Sequence, residues 1–237
     1  MSAAADRLHG GLAMPRLVLV DLDGTLVDTV PDLARCVDEM LATLNLPQRG
    51  EARVREWVGN GVERLVKRAL TATQDGEPET ALFERALPEF LTLYARHTSE
   101  RSRPYDGAET LLGFFRKRGV PLVCITNKPG RYTEKLLADL HLLECFDLVL
   151  SGDSLERKKP DPLPVLHAAE RFGVPPGESL LIGDSKNDVA AARAAGAHIV
   201  CVSYGYNHGE DIRAAEPDAV IDSLSELPDL LGDGGKR

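Results

Sequence analysis

The sequence predicts an α/β protein: an open, doubly wound parallel sheet with an all-helical domain inserted after the first strand. Short runs of Val, Ile and Leu recur without alternating polar residues, which is typical of strands buried on both faces of a parallel sheet. Helical patterns separate most of these runs, as a β-α-β alternation requires. Residues 31–100 break the alternation, because they contain helical patterns and no convincing strand.

Five apolar runs are predicted to be the strands of the sheet. They are rich in β-branched residues and short enough for strands rather than buried helices. Their positions are residues 17–20, 120–125, 146–150, 179–182 and 198–202.

Helices are predicted both between these strands and inside the inserted block. Those of the sheet region cover residues 108–118, 130–140, 162–172 and 187–195. Gly119, Gly173 and Gly196 follow three of them and can end a helix in the left-handed conformation. Those of the inserted block cover residues 31–44, 50–57, 61–72 and 79–98.

The domain organisation follows from these patterns. We expect an α/β core of residues 15–30 and 101–237 and a helical domain of residues 31–100, with hinges near 29–31 and 101–104. Residues 1–14 are rich in Ala and Gly and are predicted to be disordered, and residues 232–237 to be frayed.

Composition excludes several function classes. The chain has 237 residues, a formal net charge of −9 and a pI of about 5.2, which argues against a nucleic-acid-binding surface. No segment approaches the roughly 20 apolar residues of a membrane span. Four scattered cysteines show no metal-binding spacing, which fits a reducing cytoplasm. We expect a cytoplasmic protein that is monomeric or homodimeric.

Polar residues follow four of the predicted strands. Binding sites in an open parallel sheet form beyond the carboxyl ends of the strands, so we expect these side chains to converge. In chain order they are Asp21 and Asp23, then Thr126, Asn127 and Lys128, then Asp153, Lys158 and Lys159, and finally Asp184.

Asp21 is the candidate nucleophile. A carboxylate is ionised at neutral pH and can attack phosphorus to form an aspartyl-phosphate. Repulsion between the two anions opposes this attack, and a divalent cation and a lysine are the usual remedies. Magnesium prefers a few carboxylates together with water and phosphate oxygens. Asp21 and Asp184 can supply those carboxylates, and the backbone carbonyl of Asp23 is a third candidate ligand.

Asp23 is the candidate acid and base. In an extended chain its side chain faces the same way as that of Asp21, so it can protonate the leaving alkoxide and later activate water. Gly24 permits a tight turn, and Thr25 can hold the loop. A calcium-binding loop fits poorly, because its twelfth position would be Asp32 rather than Glu.

Thr126, Asn127 and Lys159 are candidate phosphate-binding residues. The first two offer a hydroxyl and an amide, although Thr-Asn after a strand is also a common turn. Pro160 restrains Lys159 to extended backbone, which suits an ammonium group aimed inward. A solvated lysine in the basic run 157–159 is the alternative interpretation.

Asp188 lies at the start of a predicted helix beyond the fourth strand. It can cap that helix, or it can orient Asp184 and Lys159 through hydrogen bonds.

Taken in order, these motifs resemble those of the haloacid dehalogenase-like hydrolase superfamily in its phosphatase form. The matching motifs are Asp21-Leu22-Asp23-Gly24-Thr25, Thr126-Asn127, Lys159-Pro160 and Gly183-Asp184-x-x-x-Asp188. The resemblance implies a Rossmann-like core with a helical cap inserted after the first strand. It also implies Asp21 as nucleophile, Asp23 as acid and base, and Lys159 on the phosphate. It further implies Mg²⁺ held by Asp21, Asp23 and Asp184.

Three further segments resemble the bacterial phosphoglycolate phosphatases within that superfamily: residues 57–61, 125–129 and 203–210. We hypothesise that the loop Gly59-Asn60-Gly61, which precedes a helical pattern, binds the glycolate end of the substrate, with Arg64 as a possible partner. An ordinary turn between helices is the alternative.

The resemblance implies a magnesium-dependent phosphomonoesterase that hydrolyses 2-phosphoglycolate through an aspartyl-phosphate. A phosphatase for a sugar phosphate such as N-acetylmuramate 6-phosphate, a hexose-phosphate mutase and a non-catalytic phosphate-binding module remain alternatives. A dehalogenase is disfavoured, because alkyl displacement needs neither an acid at Asp23 nor a metal.

Overall fold

The computed structural model describes residues 12–232. Its strands, in chain order, are β1 Leu12–Ala13, β2 Leu17–Val20, β3 Val27–Asp28, β4 Arg103–Pro104, β5 Leu122–Ile125, β6 Leu148–Leu150, β7 Ser179–Gly183, β8 His198–Val202, β9 Ala219–Ile221 and β10 Leu231–Gly232. Its helices are α1 Val30–Thr43, α2 Gly50–Trp57, α3 Val62–Thr71, α4 Thr80–Arg96, α5 Ala108–Arg116, α6 Gly130–Asp139, α7 Leu163–Phe172, α8 Lys186–Ala195 and α9 Leu227–Leu230.

The main sheet has six parallel strands in the spatial order β6-β5-β2-β7-β8-β9. The five predicted strands are confirmed as β2, β5, β6, β7 and β8, and the predicted α/β fold class is confirmed with them. The sequence analysis missed β9, because three apolar residues between polar neighbours are too short to distinguish from a loop. The reversal of strand order around β2 places the carboxyl ends of β2, β5 and β7 next to one another.

Helices cover both faces of this sheet. Alternate residues of β2 point to opposite sides: Val18 and Val20 pack with α5 and α6, whereas Leu17 and Leu19 pack with α7 and α8. All four side chains are fully buried. Because neither face of the strand meets water, the apolar runs show no alternation.

The inserted helices α1–α4, with the turns between them, are called the insert below (residues 30–102). They pack around a separate hydrophobic cluster that includes Trp57 and Phe90. Two core side chains, Tyr132 and Tyr206, join this cluster. The two ends of the insert are paired, because β3 and β4 form an antiparallel ladder with Val27 opposite Pro104.

The N-terminal prediction needs a correction. Residues 1–11 of the segment predicted to be disordered lie outside the described residues, as do residues 233–237 of the predicted frayed end. Leu12 and Ala13, however, form β1, which pairs in parallel with Leu231 and Gly232 of β10. The pattern gave no sign of this pairing, since its partner lies at the other end of the chain.

Candidate active site

Asp21 and Asp23 lie on the loop that leaves the central strand β2. The backbone N–H of Asp21 donates to the carbonyl of Ile182 at 2.9 Å, so the ladder with β7 continues to the nucleophile candidate. Gly24 then turns the chain with a φ of +90°. A side chain at Gly24 would collide with the carboxylate of Asp184, so only glycine lets the two loops approach this closely.

A buried lysine links Asp21 to helix α8. Lys159 Nζ donates to Asp21 Oδ1 at 2.6 Å, to Asp188 Oδ1 at 2.6 Å and to the carbonyl of Ile125 at 2.8 Å. Burial opposes the charged form of Lys159, but Asp188 and Asp21 outweigh it and hold the pKa of Lys159 above its usual range. Lys159 is therefore a fixed positive charge beside Asp21.

The carboxyl groups at this edge are hard to ionise together. Burial raises the pKa of Asp21 from 3.8 to about 7; the charge of Lys159 opposes the rise, and that of Asp188 adds to it. Burial also raises the pKa of Asp184 well above its usual range, with Asp21 and Asp188 contributing. A cation at this edge would relieve both effects.

The donor atoms fit a hard divalent cation. Carboxylate oxygens of Asp21, Asp184 and Asp188 lie within 4.8 Å of one another, and oxygen ligands are those that magnesium prefers. The carboxylate of Asp23, which the resemblance placed among the metal ligands, does not belong to this group.

Asp188 accepts more hydrogen bonds than Asp21 or Asp184 does. Oδ1 accepts from Lys159, while Oδ2 accepts from the backbone N–H of Ser185 at 3.1 Å and its hydroxyl at 2.6 Å. Ser185 and Asp188 thereby form a capping box at the start of α8. Within residues 12–232, the donors to Asp184 are neutral: Thr25 Oγ1 at 3.2 Å and the backbone N–H of Tyr206. Asp21 and Asp184 thus have the freer oxygens for a cation.

Asp23 belongs to a second cluster on the insert side of the site. Its Oδ1 accepts from Thr29 Oγ1 at 2.6 Å and from Lys128 Nζ at 2.7 Å, and its Oδ2 accepts from Thr126 Oγ1 at 3.4 Å. Burial opposes the charged form of Lys128, but Asp23 outweighs it and raises the pKa of Lys128. The sequence analysis placed Lys128 at the strand end and gave it no role.

Asn127 bridges the core and the insert. Its Nδ2 donates to the carbonyl of Gly59 at 3.0 Å and to that of Lys159 at 2.9 Å, which commits both amide hydrogens. Its Oδ1 is buried and finds no hydrogen-bond partner within residues 12–232. In this arrangement the amide hydrogens are not free for a phosphate group.

The loop between α2 and α3 covers the site on the side of the insert. Gly59 accepts a second bond from Asn187 Nδ2 at 3.3 Å, and the carbonyl of Asn60 lies 3.4 Å from Lys158 Nζ. Gly59 and Gly61 line the cavity. Three core side chains, counting Asn127, therefore hold this loop against the core.

Arg64, considered above as a partner of this loop, turns away from the cavity. Its guanidinium donates to Glu77 Oε1 at 2.6 Å and to the carbonyl of Gln74 at 2.9 Å. These bonds tie α3 to the following turn. The position of Arg64 on the helix could not be read from the sequence, because Glu77 pairs with it only after the turn has folded.

The enclosed cavity has two chemically different walls. Its volume is about 50 Å³, whereas one ordered water needs about 10–15 Å³. The core wall carries the carboxylates and lysines described above. The insert wall is apolar apart from one tyrosine hydroxyl and consists of Leu33, Val58, Val62, Leu65 and Tyr94, with the two loop glycines.

Tyr206 connects the Asp184 end of the site to the insert. Its backbone N–H donates to Asp184, and its hydroxyl accepts from the backbone N–H of Thr29 at 3.0 Å and donates to Asp28. The guanidinium of Arg55 in α2 lies 5.1 Å from the centre of its ring. The segment 203–210 stood out in the sequence by resemblance alone, and no local pattern indicated this contact.

Comparisons with known proteins bear on this site. A family model described as haloacid dehalogenase-like hydrolase matches residues 15–196. A protein of Nitrosococcus oceani named phosphoglycolate phosphatase is 54% identical over 220 residues, covering 93% of this chain and 98% of the relative. One of the same name from Thiobacillus denitrificans is 49% identical, covering 89% and 93%.

A solved structure is similar over the same length. The crystal structure of a predicted phosphoglycolate phosphatase from Haemophilus somnus 129PT superposes with a TM-score of 0.87 at 33% identity. The match covers 93% of this chain and 99% of that one. Within the described residues, no helix is both long and apolar enough to span a bilayer.

Proposed function

The chain belongs to the haloacid dehalogenase-like hydrolases, and we propose that it hydrolyses 2-phosphoglycolate to glycolate and phosphate with the help of Mg²⁺. The observation that carries the proposal is the pair of clusters on the loop after β2. Asp21 lies against Lys159 at 2.6 Å, and Asp23 lies against Lys128 at 2.7 Å on the insert side. The names of the Nitrosococcus and Thiobacillus relatives support the substrate.

In the proposed mechanism Asp21 attacks phosphorus and the bond from phosphorus to the ester oxygen breaks. Asp23 gives its proton to the departing oxygen, which leaves as the hydroxyl of glycolate. Asp23 then takes a proton from a water molecule, whose oxygen attacks the aspartyl-phosphate and releases phosphate with Asp21 restored. Lys159 balances charge beside Asp21 throughout.

We propose that Asp21 and Asp184 hold the metal, since their oxygens are freer than those of Asp188. Asp23 would contribute through its backbone carbonyl, because its carboxylate contacts Lys128 and Thr29 instead. Bound Mg²⁺ supplies positive charge that reduces the repulsion between a carboxylate and a phosphate ester. Asp188 and Thr25 position these groups through Lys159 and Asp184.

Thr126, Asn127 and Lys159 are the proposed phosphate-binding side chains. All three line the cavity beside Asp21. For Asn127 to donate to a phosphate, one of its two hydrogen bonds must break. We propose that it is the bond to Gly59, so that phosphate binding loosens the hold on the insert loop.

The test is phosphate release from 2-phosphoglycolate, N-acetylmuramate 6-phosphate and a hexose phosphate, each with Mg²⁺ and with a chelator. We expect phosphoglycolate to be turned over fastest and only with metal. Asp21→Asn should lower kcat by roughly 10⁴-fold or more, because it removes the nucleophile.

The matched control is Asp229→Asn, the same change at an exposed residue of α9, which should keep the wild-type rate. Turnover that survives Asp21→Asn or the chelator would sink the mechanism. Preference for a sugar phosphate would reject 2-phosphoglycolate as the substrate. Absence of any turnover would favour a binding module.

A further inference from the structure

The cavity holds two buried lysines whose surroundings differ. Among the described residues that line it, Lys159 and Lys128 are the only cationic side chains. Lys159 has three acceptors, Asp21, Asp188 and the carbonyl of Ile125, for its three N–H bonds. All three N–H bonds are used in this arrangement, so a phosphate can bind Lys159 only by replacing one of these acceptors.

Lys128 has donor capacity left. Among the described residues its Nζ donates to Asp23 at 2.7 Å, and the side chain of Tyr94, whose ring centre is 5.0 Å away, is its other polar neighbour. The Lys128 side chain is 4% exposed, so water does little to satisfy the remaining N–H bonds. The hydroxyl of Tyr94 is also buried, without a hydrogen-bond partner in the described part of the chain.

The environment of Lys128 suits an anion that belongs to the leaving group. The insert side chains Leu33, Val62 and Leu65, which line the same cavity, are apolar. An anion placed there without a cation would suffer a large desolvation cost, whereas a charge-assisted hydrogen bond to a buried lysine is strong.

We infer that Lys128 binds the carboxylate of the substrate and thereby selects esters whose leaving group carries an anion close to the ester oxygen. In 2-phosphoglycolate one methylene separates the carboxylate from the ester oxygen that Asp23 protonates. A group that contacts Asp23 at 2.7 Å is therefore at the right place to reach that carboxylate. This inference rests on the proposed function and places the subsite on the core, not on the loop Gly59–Gly61.

The competing account is that Lys128 only positions Asp23. Two esters distinguish the accounts: 2-phosphoglycolate, and 2-hydroxyethyl phosphate, in which an uncharged hydroxymethyl group replaces the carboxylate. Loss of a carboxylate contact lowers kcat/KM for the first ester only, whereas misplacement of Asp23 lowers both equally.

The variant is Lys128→Met, which keeps the stem and removes the charge. We expect the ratio of kcat/KM for phosphoglycolate to that for hydroxyethyl phosphate to fall by roughly 10- to 100-fold, the usual range for a hydrogen bond to a charged group. Lys135→Met, the same change at a half-exposed lysine paired with Asp139, should leave the ratio unchanged. If Lys128→Met fails to fold, Lys128→Gln carries the same expectation.

Inhibition provides a readout that does not depend on Asp23 chemistry. Phosphonoacetate carries both a phosphonate and a carboxylate, and inorganic phosphate carries no carboxylate. We expect Lys128→Met to weaken inhibition by phosphonoacetate by about tenfold or more, while inhibition by phosphate stays nearly constant.

An unchanged kcat/KM ratio, or equal weakening of both inhibitors, would overturn the inference. The proposed function fails separately: wild-type enzyme that shows no preference for phosphoglycolate over sugar phosphates or hydroxyethyl phosphate would reject the substrate whatever the variants do.

Discussion

The core wall and the insert wall of the cavity are held in different ways. On the core wall, Asp21, Lys159 and Asp188 are fixed by short bonds between charged side chains. These residues come from the end of β2, the loop between β6 and α7, and the start of α8. The insert wall is apolar and is held to the core mainly through backbone carbonyls such as that of Gly59. Reaction chemistry therefore depends on the core, and the shape offered to the leaving group depends on where the insert sits.

Loss of Lys159 should lower the rate for every substrate, because it removes a charged group of the core wall. Lys159→Met leaves Asp21 and Asp188 buried without their shared cation, so we expect kcat to fall by roughly 10²- to 10³-fold, as for removal of one charge-stabilising donor. Steady-state rates on phosphoglycolate and hydroxyethyl phosphate measure this. A loss confined to phosphoglycolate would contradict the division between the walls.

The dependence of metal binding on pH tests whether Asp21, on the core wall, is a metal ligand. Because burial raises the pKa of Asp21 to about 7, protons compete with a cation below that pH. We expect the rise in Tm on adding Mg²⁺ to be larger at pH 8 than at pH 6, by roughly 3–6 °C for about tenfold weaker binding at pH 6. Thermal melts with and without Mg²⁺ at the two pH values measure the difference.

Without Mg²⁺, the free energy of unfolding should instead fall as the pH rises. A carboxyl whose pKa is 3.8 when unfolded and about 7 when folded retains protons in the folded state, so its contribution to stability is lost as pH rises through 7. Asp184→Asn should remove most of the Mg²⁺ effect, whereas Asp229→Asn should keep it. If the rise in Tm on adding Mg²⁺ is the same at both pH values, Asp21 is not a metal ligand.

Tyr206 joins the two walls, and its removal should have the smallest effect. Tyr206→Phe keeps the ring beneath Arg55 but leaves the backbone N–H of Thr29 without its acceptor. We expect KM to rise by about 2- to 10-fold for both esters, with kcat changing less, since the hydrogen bonds of the hydroxyl to Thr29 and Asp28 in the linker are lost. Initial-rate measurements over a range of substrate concentrations separate the two constants.

Tyr204→Phe is the comparison variant. It removes a hydroxyl that donates to the carbonyl of Thr25, within the core. A larger rise in KM for Tyr204→Phe than for Tyr206→Phe would show that the bond from Tyr206 to the insert linker is unimportant.

The sequence predicted what is local and left out what joins distant segments. Runs such as residues 17–20 and 179–182 predicted strands because burial on both faces imposes a continuous apolar pattern. The strand-end rule then brought Asp21, Lys159 and Asp184 to one edge. The contact between Lys128 and Asp23 spans 105 positions along the chain, so no spacing could indicate it.

The same reason explains the other differences. Asp188 was open between capping α8 and orienting Lys159, and the structure shows both, because each of its oxygens serves one purpose. The position of Arg64 depends on the turn that follows α3, and the contacts of Tyr206 depend on how the insert sits on the core. That placement is a tertiary property, which periodicity within one segment does not encode.

The pairing of β3 with β4 has an evolutionary consequence. Asp28 stands opposite Arg103, and Asp32 accepts from the backbone N–H groups of Arg101 at 3.0 Å and Ser102 at 2.8 Å. The chain thus enters and leaves the insert at one place, where these contacts join its two ends; this pairing is called the clasp. Lengthening, shortening or swapping everything beyond that clasp leaves the spacing of Asp21, Lys159 and Asp184 untouched. The insert can then change independently of the catalytic machinery, and the shape offered to the leaving group changes with it, whereas the carboxylate contact proposed for Lys128 stays with the core.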